Sequence, residues 1–131
     1  MPIDFAIDRE RRLVTAKARD TLTHEDILGY QKDVWSRPEV NGYDELVDMS
    51  QVAQIALQSV ERVRELAKLS AGMDISSSAS RFAIVATTEE AFGLGRMYQT
   101  YRGLDDRSTK EVGVFRSLEE ALAFLKEKKP A

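Results

Sequence analysis

The chain has 131 residues, of which 43% are hydrophobic and 31% are charged, and its formal net charge is -3. This length suits one domain with a single core, and the weakly acidic balance gives no broad attraction to nucleic acid, which we therefore exclude as a partner. The chain contains no cysteine, which excludes disulfides, thiolate nucleophiles and thiolate metal ligands.

The distribution of charge bears on the cellular compartment. Charged residues interrupt the start of the chain, where a secretory signal peptide would need an unbroken apolar run. No apolar stretch approaches the roughly 20 residues that are needed to cross a bilayer. We therefore expect a single cytoplasmic domain, with peripheral contact as its only form of membrane association.

The first third of the chain predicts a hairpin and a helix. Apolar residues alternate with polar ones over 3–7 and 13–18, and the charged residues between them suit a turn, so we expect an antiparallel hairpin. Thr23 and Asp26 have the spacing of a reciprocal helix cap. Apolar residues at helical spacing follow this cap, which predicts a helix over roughly 24–36.

The middle of the chain predicts two strands with a helix between them. The first strand covers 45–49, and the helix covers roughly 58–72, with Gly72 placed to end it in the left-handed conformation. A serine-rich segment over 76–80 indicates a flexible connector. The nearly all-apolar segment over 82–86 then predicts a central strand that is covered on both faces.

The last third predicts a helix over 88–102 that opens with a reciprocal cap between Thr87 and Glu90, then a strand over 112–115 and a final helix capped by Ser117. Strands and helices thus alternate after the opening hairpin. This order predicts an α/β fold with a mostly parallel five-stranded sheet, an antiparallel edge hairpin and about four helices.

Taken together, these segments resemble the STAS superfamily, and more closely its SpoIIAA-like branch of small stand-alone bacterial domains. The resemblance rests on short segments in the same order along the chain, at 3–5, 12–14, 21–23, 43–48, 81–85, 91–98 and 114–121. It implies the α/β fold described above. For the SpoIIAA-like branch it also implies apolar ligand binding and membrane association through mobile helices.

The wider superfamily includes anti-sigma-factor antagonists, in which a serine of an Asp-Ser-Ser-Gly motif at a helix start is phosphorylated by a partner kinase. The corresponding stretch here, 55–59, lacks the acid, the paired serines and the glycine. A phosphate on Ser59 would suit a helix N-terminus, where free amides and the helix dipole favour negative charge. A plain helix cap is the simpler interpretation of Ser59.

The motifs that carry catalytic chemistry are incomplete. His24 is the only histidine, so a metal site would need carboxylates for its other ligands, and a surface position in the first helical turn is the simpler interpretation. No serine lies in a Gly-x-Ser-x-Gly nucleophile elbow. Gly93 and Gly95 fall inside a predicted helix, where close packing explains them better than a phosphate-binding loop. We expect no enzymatic activity, metal or cofactor.

The predicted helix over 88–102 carries apolar side chains on more than one face. Such an excess is typical of a ligand cleft, a dimer surface or a membrane-contacting face, as well as of ordinary core packing. We expect an apolar slot between the helices over 58–72 and 88–102, with polar groups at the end of the strand over 45–49 to orient a ligand. The expected ligand-binding residues are Asp48, Ser50, Leu66, Leu69, Phe92, Arg96, Met97 and Tyr98.

Three functional hypotheses follow. The first is a non-catalytic binding or regulatory module for a small apolar or amphiphilic, lipid-like molecule, with peripheral membrane contact. The second is a protein-interaction switch of the anti-sigma-factor-antagonist type, controlled by phosphorylation of Ser59 or Ser50. The third is a small enzyme that uses Asp48 with Arg96 or a tyrosine. A protein partner and a homodimer stay open alongside the first hypothesis.

Overall fold

The computed structural model describes residues 2–56, 59–74 and 79–127. The strands are β1 (Ile3–Asp8), β2 (Leu13–Thr23), β3 (Asp44–Ala56), β4 (Ser80–Val85) and β5 (Lys110–Phe115). The helices are α1 (His24–Val34), α2 (Val60–Gly72), α3 (Glu89–Gly103) and α4 (Leu118–Lys126), with a short 3-10 helix at Pro38–Val40. Within these described ranges, no helix is both long enough and apolar enough to cross a membrane.

The strands form one five-stranded sheet in the order β1-β2-β3-β4-β5. β1 pairs antiparallel with β2, and the three remaining pairs are parallel. Parallel neighbours need a crossover connection, and α1, α2 and α3 each lie between two parallel strands in the chain. The predicted fold class, a mostly parallel sheet with an antiparallel edge hairpin, is confirmed.

The helices are divided unequally between the two faces of the sheet. Side chains alternate across a strand, so β3 contributes to both faces. Glu45 and Val47 face a cavity that is lined by residues of α1, α2 and α3. Leu46 points the other way and packs in a cluster with Ala121 and Leu125 of α4. Three helices therefore cover one face, and α4 packs on the opposite face.

β3 is much longer than the predicted strand over 45–49. It continues to Ala56 because residues 19–23 at the end of β2 run beside it and pair with it in parallel. This pairing satisfies backbone groups that a loop would leave to solvent. Asp48 and Ser50 consequently lie inside the strand, and the prediction that the strand ends beside them is wrong.

The capping signals mark the helix starts well. Thr23 and Asp26 form the predicted reciprocal pair, with each backbone N–H donating to the other side chain at 3.0 and 3.1 Å. Ser117 caps α4 as predicted. The cap of α3 is Thr88 instead of the predicted Thr87, since the Thr88 hydroxyl accepts the amide three residues further on at 3.1 Å.

The end of α2 differs from its prediction. Gly72 belongs to the helix, and the C-cap is Met73 in the right-handed conformation, so the prediction of a left-handed Gly72 is wrong. The amides of Met73 and Asp74 donate to carbonyls three residues back at 3.0 and 3.2 Å, and such bonds close a helix without a left-handed residue. Residues 76–78 of the predicted connector lie outside the described residues, and Ser80 already begins β4.

Asp74 joins the end of α2 to α3 and to the start of β5. Its Oδ1 accepts a hydrogen bond from the Arg102 guanidinium at 2.5 Å, and its Oδ2 accepts the amides of Thr109 and Lys110 at 2.8 and 3.2 Å. The Arg102 and Asp74 side chains are 3% and 5% exposed. A buried ion pair is tolerated only while both charges stay partnered, so this pair fixes the spacing of three elements.

We expect Asp74→Asn to lower the free energy of unfolding by about 3–5 kcal/mol, because it removes the charge that is hydrogen-bonded to the buried Arg102 guanidinium. The control is Asp106→Asn in the exposed loop before β5, which should change the free energy by less than about 0.5 kcal/mol. Urea denaturation of both variants measures the difference. Equal stabilities would contradict the role assigned to Asp74.

Candidate functional site

A cavity of about 110 Å³ lies between the sheet and the helices α1, α2 and α3. Its walls are mainly aliphatic and aromatic side chains. The helix residues that line it include Ile27, Tyr30, Leu66, Ser70, Leu94 and Tyr98. An apolar cavity of roughly this size can hold a ring such as benzene, so the space is large enough to matter for binding.

Small residues help to create this space. Ala16 and Ala18 of β2 line the cavity and are fully buried, so two short side chains lie beneath the helices. On α3, a Cβ atom at Gly95 would come within 3.0 Å of Val114, which shows how closely the helix approaches the sheet. Close packing therefore accounts for Gly95. It does not account for Gly93, where a Cβ would meet nothing within 4 Å.

One end of the cavity is polar because Glu45 of β3 faces the helices. The Tyr30 hydroxyl donates to Glu45 Oε2 at 2.8 Å, and Lys110 Nζ donates to Oε1 at 3.2 Å. Trp35 Nε1 donates in turn to the Tyr30 hydroxyl oxygen at 3.1 Å. Lys110 Nζ also lies 3.3 Å from the centroid of the Trp35 ring. These four side chains form a connected network in which the Glu45 carboxylate is 4% exposed.

Burial changes the acid–base behaviour of this network. Burial, with a further contribution from the Glu45 charge, raises the pKa of Tyr30 well above its ordinary value. Burial also lowers the pKa of Lys110, although the Glu45 carboxylate opposes that shift. The Tyr30 phenol therefore keeps its proton near neutral pH and remains a hydrogen-bond donor to Glu45.

Tyr98 of α3 brings a second hydroxyl to the cavity. Its oxygen accepts a hydrogen bond from Arg102 at 2.6 Å, and it also bonds to the Ser70 hydroxyl of α2. Burial raises the pKa of Tyr98 even though the Arg102 charge acts in the opposite direction. The Tyr98 ring meets Phe82 of β4 edge-on, with 5.8 Å between centroids. Tyr98 thus ties α3 to both α2 and the sheet.

The apolar residues that the sequence predicts at the site are only partly brought together. Leu66 and Tyr98 line the cavity. Met97 packs in the neighbouring cluster between α2 and α3 and is not part of the lining. The Phe92 ring lies 4.0 Å from the Arg116 guanidinium, and Leu69 is half-buried, both outside the lining.

The polar residues that the sequence predicts at the site do not reach the cavity. Asp48 is an odd number of positions from Glu45, so its side chain points to the other face of β3, where it accepts the Ser50 amide at 2.9 Å. Ser50 and Arg96 are exposed and lie outside the lining. The polar end of the cavity is formed instead by Glu45, Tyr30 and the residues that bond to them.

Signals for the missed residues exist in the sequence. Glu45 lies in a strand that is flanked by predicted strands on both sides, where an unpaired acid would be costly. Tyr30 follows Ile27 by three residues, which places the two side chains on one face of a helix. Nothing local distinguishes Lys110 from the other lysines, because its burial depends on where β5 joins the sheet.

Two other predicted sites have clear positions. Ser59 is the exposed N-cap of α2, where its Oγ accepts the Arg62 amide at 3.4 Å, so the cap interpretation is confirmed.

His24 is only 4% exposed, and its Nε2 lies 4.0 Å from Glu65 of α2. Its predicted surface position is wrong because α2 packs beside the start of α1. No group of three or more histidine, aspartate or glutamate side chains in the described ranges could hold a metal ion.

Comparisons with models of known protein families and with curated proteins gave no significant match. Among solved structures, the chain is similar to an uncharacterised protein of the DUF3478 family from Shewanella loihica PV-4, which is described as having a SpoIIAA-like fold. The two are 21% identical, with a TM-score of 0.58, and the alignment covers 94% of this chain and 93% of the other. The strand order, the antiparallel edge pair and this likeness agree: the chain has a SpoIIAA-like fold.

Proposed function

We propose that the domain is a non-catalytic binding module that holds a small apolar or amphiphilic molecule between its sheet and helices α1, α2 and α3. The observation that carries the proposal is the cavity of about 110 Å³ with apolar walls and a polar end. Ligand sites in proteins commonly combine an apolar lining with a few polar groups that fix the orientation of the ligand.

The volume of the cavity limits the ligand. An apolar cavity of about 150 Å³ binds benzene, so a volume of about 110 Å³ limits the ligand to one small ring or a short chain. A longer lipid chain would require α2 and α3 to separate, and these helices are joined by contacts of Tyr98 and Met97 with the apolar face of α2. A bilayer is the natural source of such longer chains, so peripheral membrane contact belongs to that version of the proposal.

Among the buried titratable groups, burial lowers the pKa of Lys110, whereas Tyr30 and Glu45 support binding more than catalysis. A general acid or base works best when its pKa lies near the operating pH. Burial and the Glu45 charge move the pKa of Tyr30 upward, away from neutrality. Glu45 itself is engaged by Tyr30 and Lys110, which suits a group that positions a ligand.

The first test measures the thermal unfolding midpoint with and without benzene, an apolar probe of the cavity. We expect benzene to raise the midpoint, since a ligand that binds only the folded state stabilises it. A midpoint that does not respond to benzene would contradict the proposal.

Native mass spectrometry of the freshly purified protein, before and after organic extraction, looks for a molecule that is already bound. A bound mass that is lost on extraction would give the mass of that molecule.

A cavity-filling substitution gives a second test. Leu66→Phe places a larger side chain against the cavity, so we expect it to weaken benzene binding. Filling roughly 20–25 Å³ at roughly 24 cal/mol for each Å³ should raise the free energy of unfolding by about 0.5 kcal/mol. Leu118→Phe makes the same chemical change at an exposed position of α4 and should alter neither quantity. Unchanged benzene affinity in Leu66→Phe would place the site elsewhere.

A second candidate function is a phosphorylation-controlled interaction switch, which the position of Ser59 favours. Its hydroxyl is exposed at the N-terminus of α2, where free amides favour a phosphate. This candidate predicts that Ser59→Asp changes which proteins the domain captures, whereas Ser59→Asn, which also caps helices, does not. Identical capture by both variants and the wild type, measured by quantitative pull-down, would dismiss it.

A further inference from the structure

We infer that the cavity selects a neutral hydrogen-bond donor, an alcohol or a phenol, over a carboxylate of the same size. The inference rests on the proposed function and adds the chemical class of the ligand. It comes from the way in which the buried charges are distributed around the cavity.

The buried charges are divided between two adjoining cavities. Glu45 lines both the cavity of about 110 Å³ and a smaller one of about 20 Å³. Lys110, Arg102 and Asp74 line only the smaller one. A ligand in the larger cavity therefore meets an anionic side chain, while Lys110, the cation paired with Glu45, lines only the smaller cavity.

Glu45 has acceptor capacity left for a ligand. A carboxylate offers about four lone-pair positions, and Glu45 uses one on each oxygen, for Tyr30 and for Lys110. A hydroxyl group of a ligand can donate to one of the remaining positions. Ser70 and Tyr98, whose hydroxyls bond to each other, also line the cavity.

Charged ligands fit poorly beside Glu45 in the larger cavity. A ligand carboxylate would face Glu45 at short range, and two carboxylates that share a site cannot both keep their charge without a large penalty. An ammonium group would lose its hydration on entry, and Lys110 already neutralises Glu45 at 3.2 Å. A neutral donor satisfies the open acceptor positions and adds no charge to the cavity.

The test compares benzene, phenol and benzoate, which share one ring, by calorimetric titration of the wild-type protein at neutral pH. We expect phenol to bind at least about tenfold more tightly than benzoate, a difference of roughly 1.4 kcal/mol. In Glu45→Gln/Lys110→Met this preference should shrink by at least about threefold. The part that remains reflects the loss of hydration of benzoate in an apolar cavity. The double variant removes both charges because Glu45→Gln alone would leave Lys110 buried without its partner.

The matched control is Glu111→Gln, which removes one negative charge from an exposed position of β5 and should keep the full preference for phenol. Benzoate binding as tightly as phenol in the wild type would overturn the inference and leave the cavity as a ligand site. A preference of unchanged size in the double variant would also overturn it, since Glu45 would not contribute. If none of the three compounds binds the wild type, the proposed function itself fails.

Discussion

The arrangement of this domain depends on one carboxylate, Glu45, held on the inward face of a central strand beneath three helices. A charge in that position is strongly unfavourable unless it is paired and hydrogen-bonded. Its partners come from distant parts of the chain, Tyr30 from α1 and Lys110 from β5. Satisfying Glu45 therefore fixes α1 and the edge strand relative to β3, and the Asp74–Arg102 pair does the same for the end of α2 and for α3.

Much of the fold follows from local signals in the sequence. The reciprocal cap at Thr23, the cap at Ser117 and the apolar segment over 82–86 each depend on a few neighbouring residues, and each marks an element of the structure. Predictions fail where the extent of an element depends on a distant partner. β3 reaches Ala56 only because residues 19–23 of β2 run beside it, and no periodic pattern within β3 reveals that pairing.

In the candidate site, too, local patterns predict some residues, whereas others depend on distant parts of the chain. Helical spacing points to Leu66 and Tyr98 as inward-facing residues, and both line the cavity. The acids of β3 look alike in the sequence, yet Asp44 accepts the Arg81 amide at the start of the neighbouring strand, whereas Glu45 faces the three helices. Which acid reaches the cavity depends on the strand's register and on which face of the sheet α1, α2 and α3 cover, and both are properties of the assembled fold.

The coincidence of a polar network and an apolar cavity supports the proposed binding function. Replacing buried ion pairs by apolar residues is often neutral or stabilising, so stability alone does not explain Glu45 and Lys110. At roughly 24 cal/mol per Å³, a cavity of about 110 Å³ costs about 2.6 kcal/mol relative to a filled core, a large part of a typical total of about 5–15 kcal/mol. Larger side chains at Ala16 and Ala18 would fill that space. A tight core would have neither feature, whereas a site that both admits and orients a small molecule needs the two together.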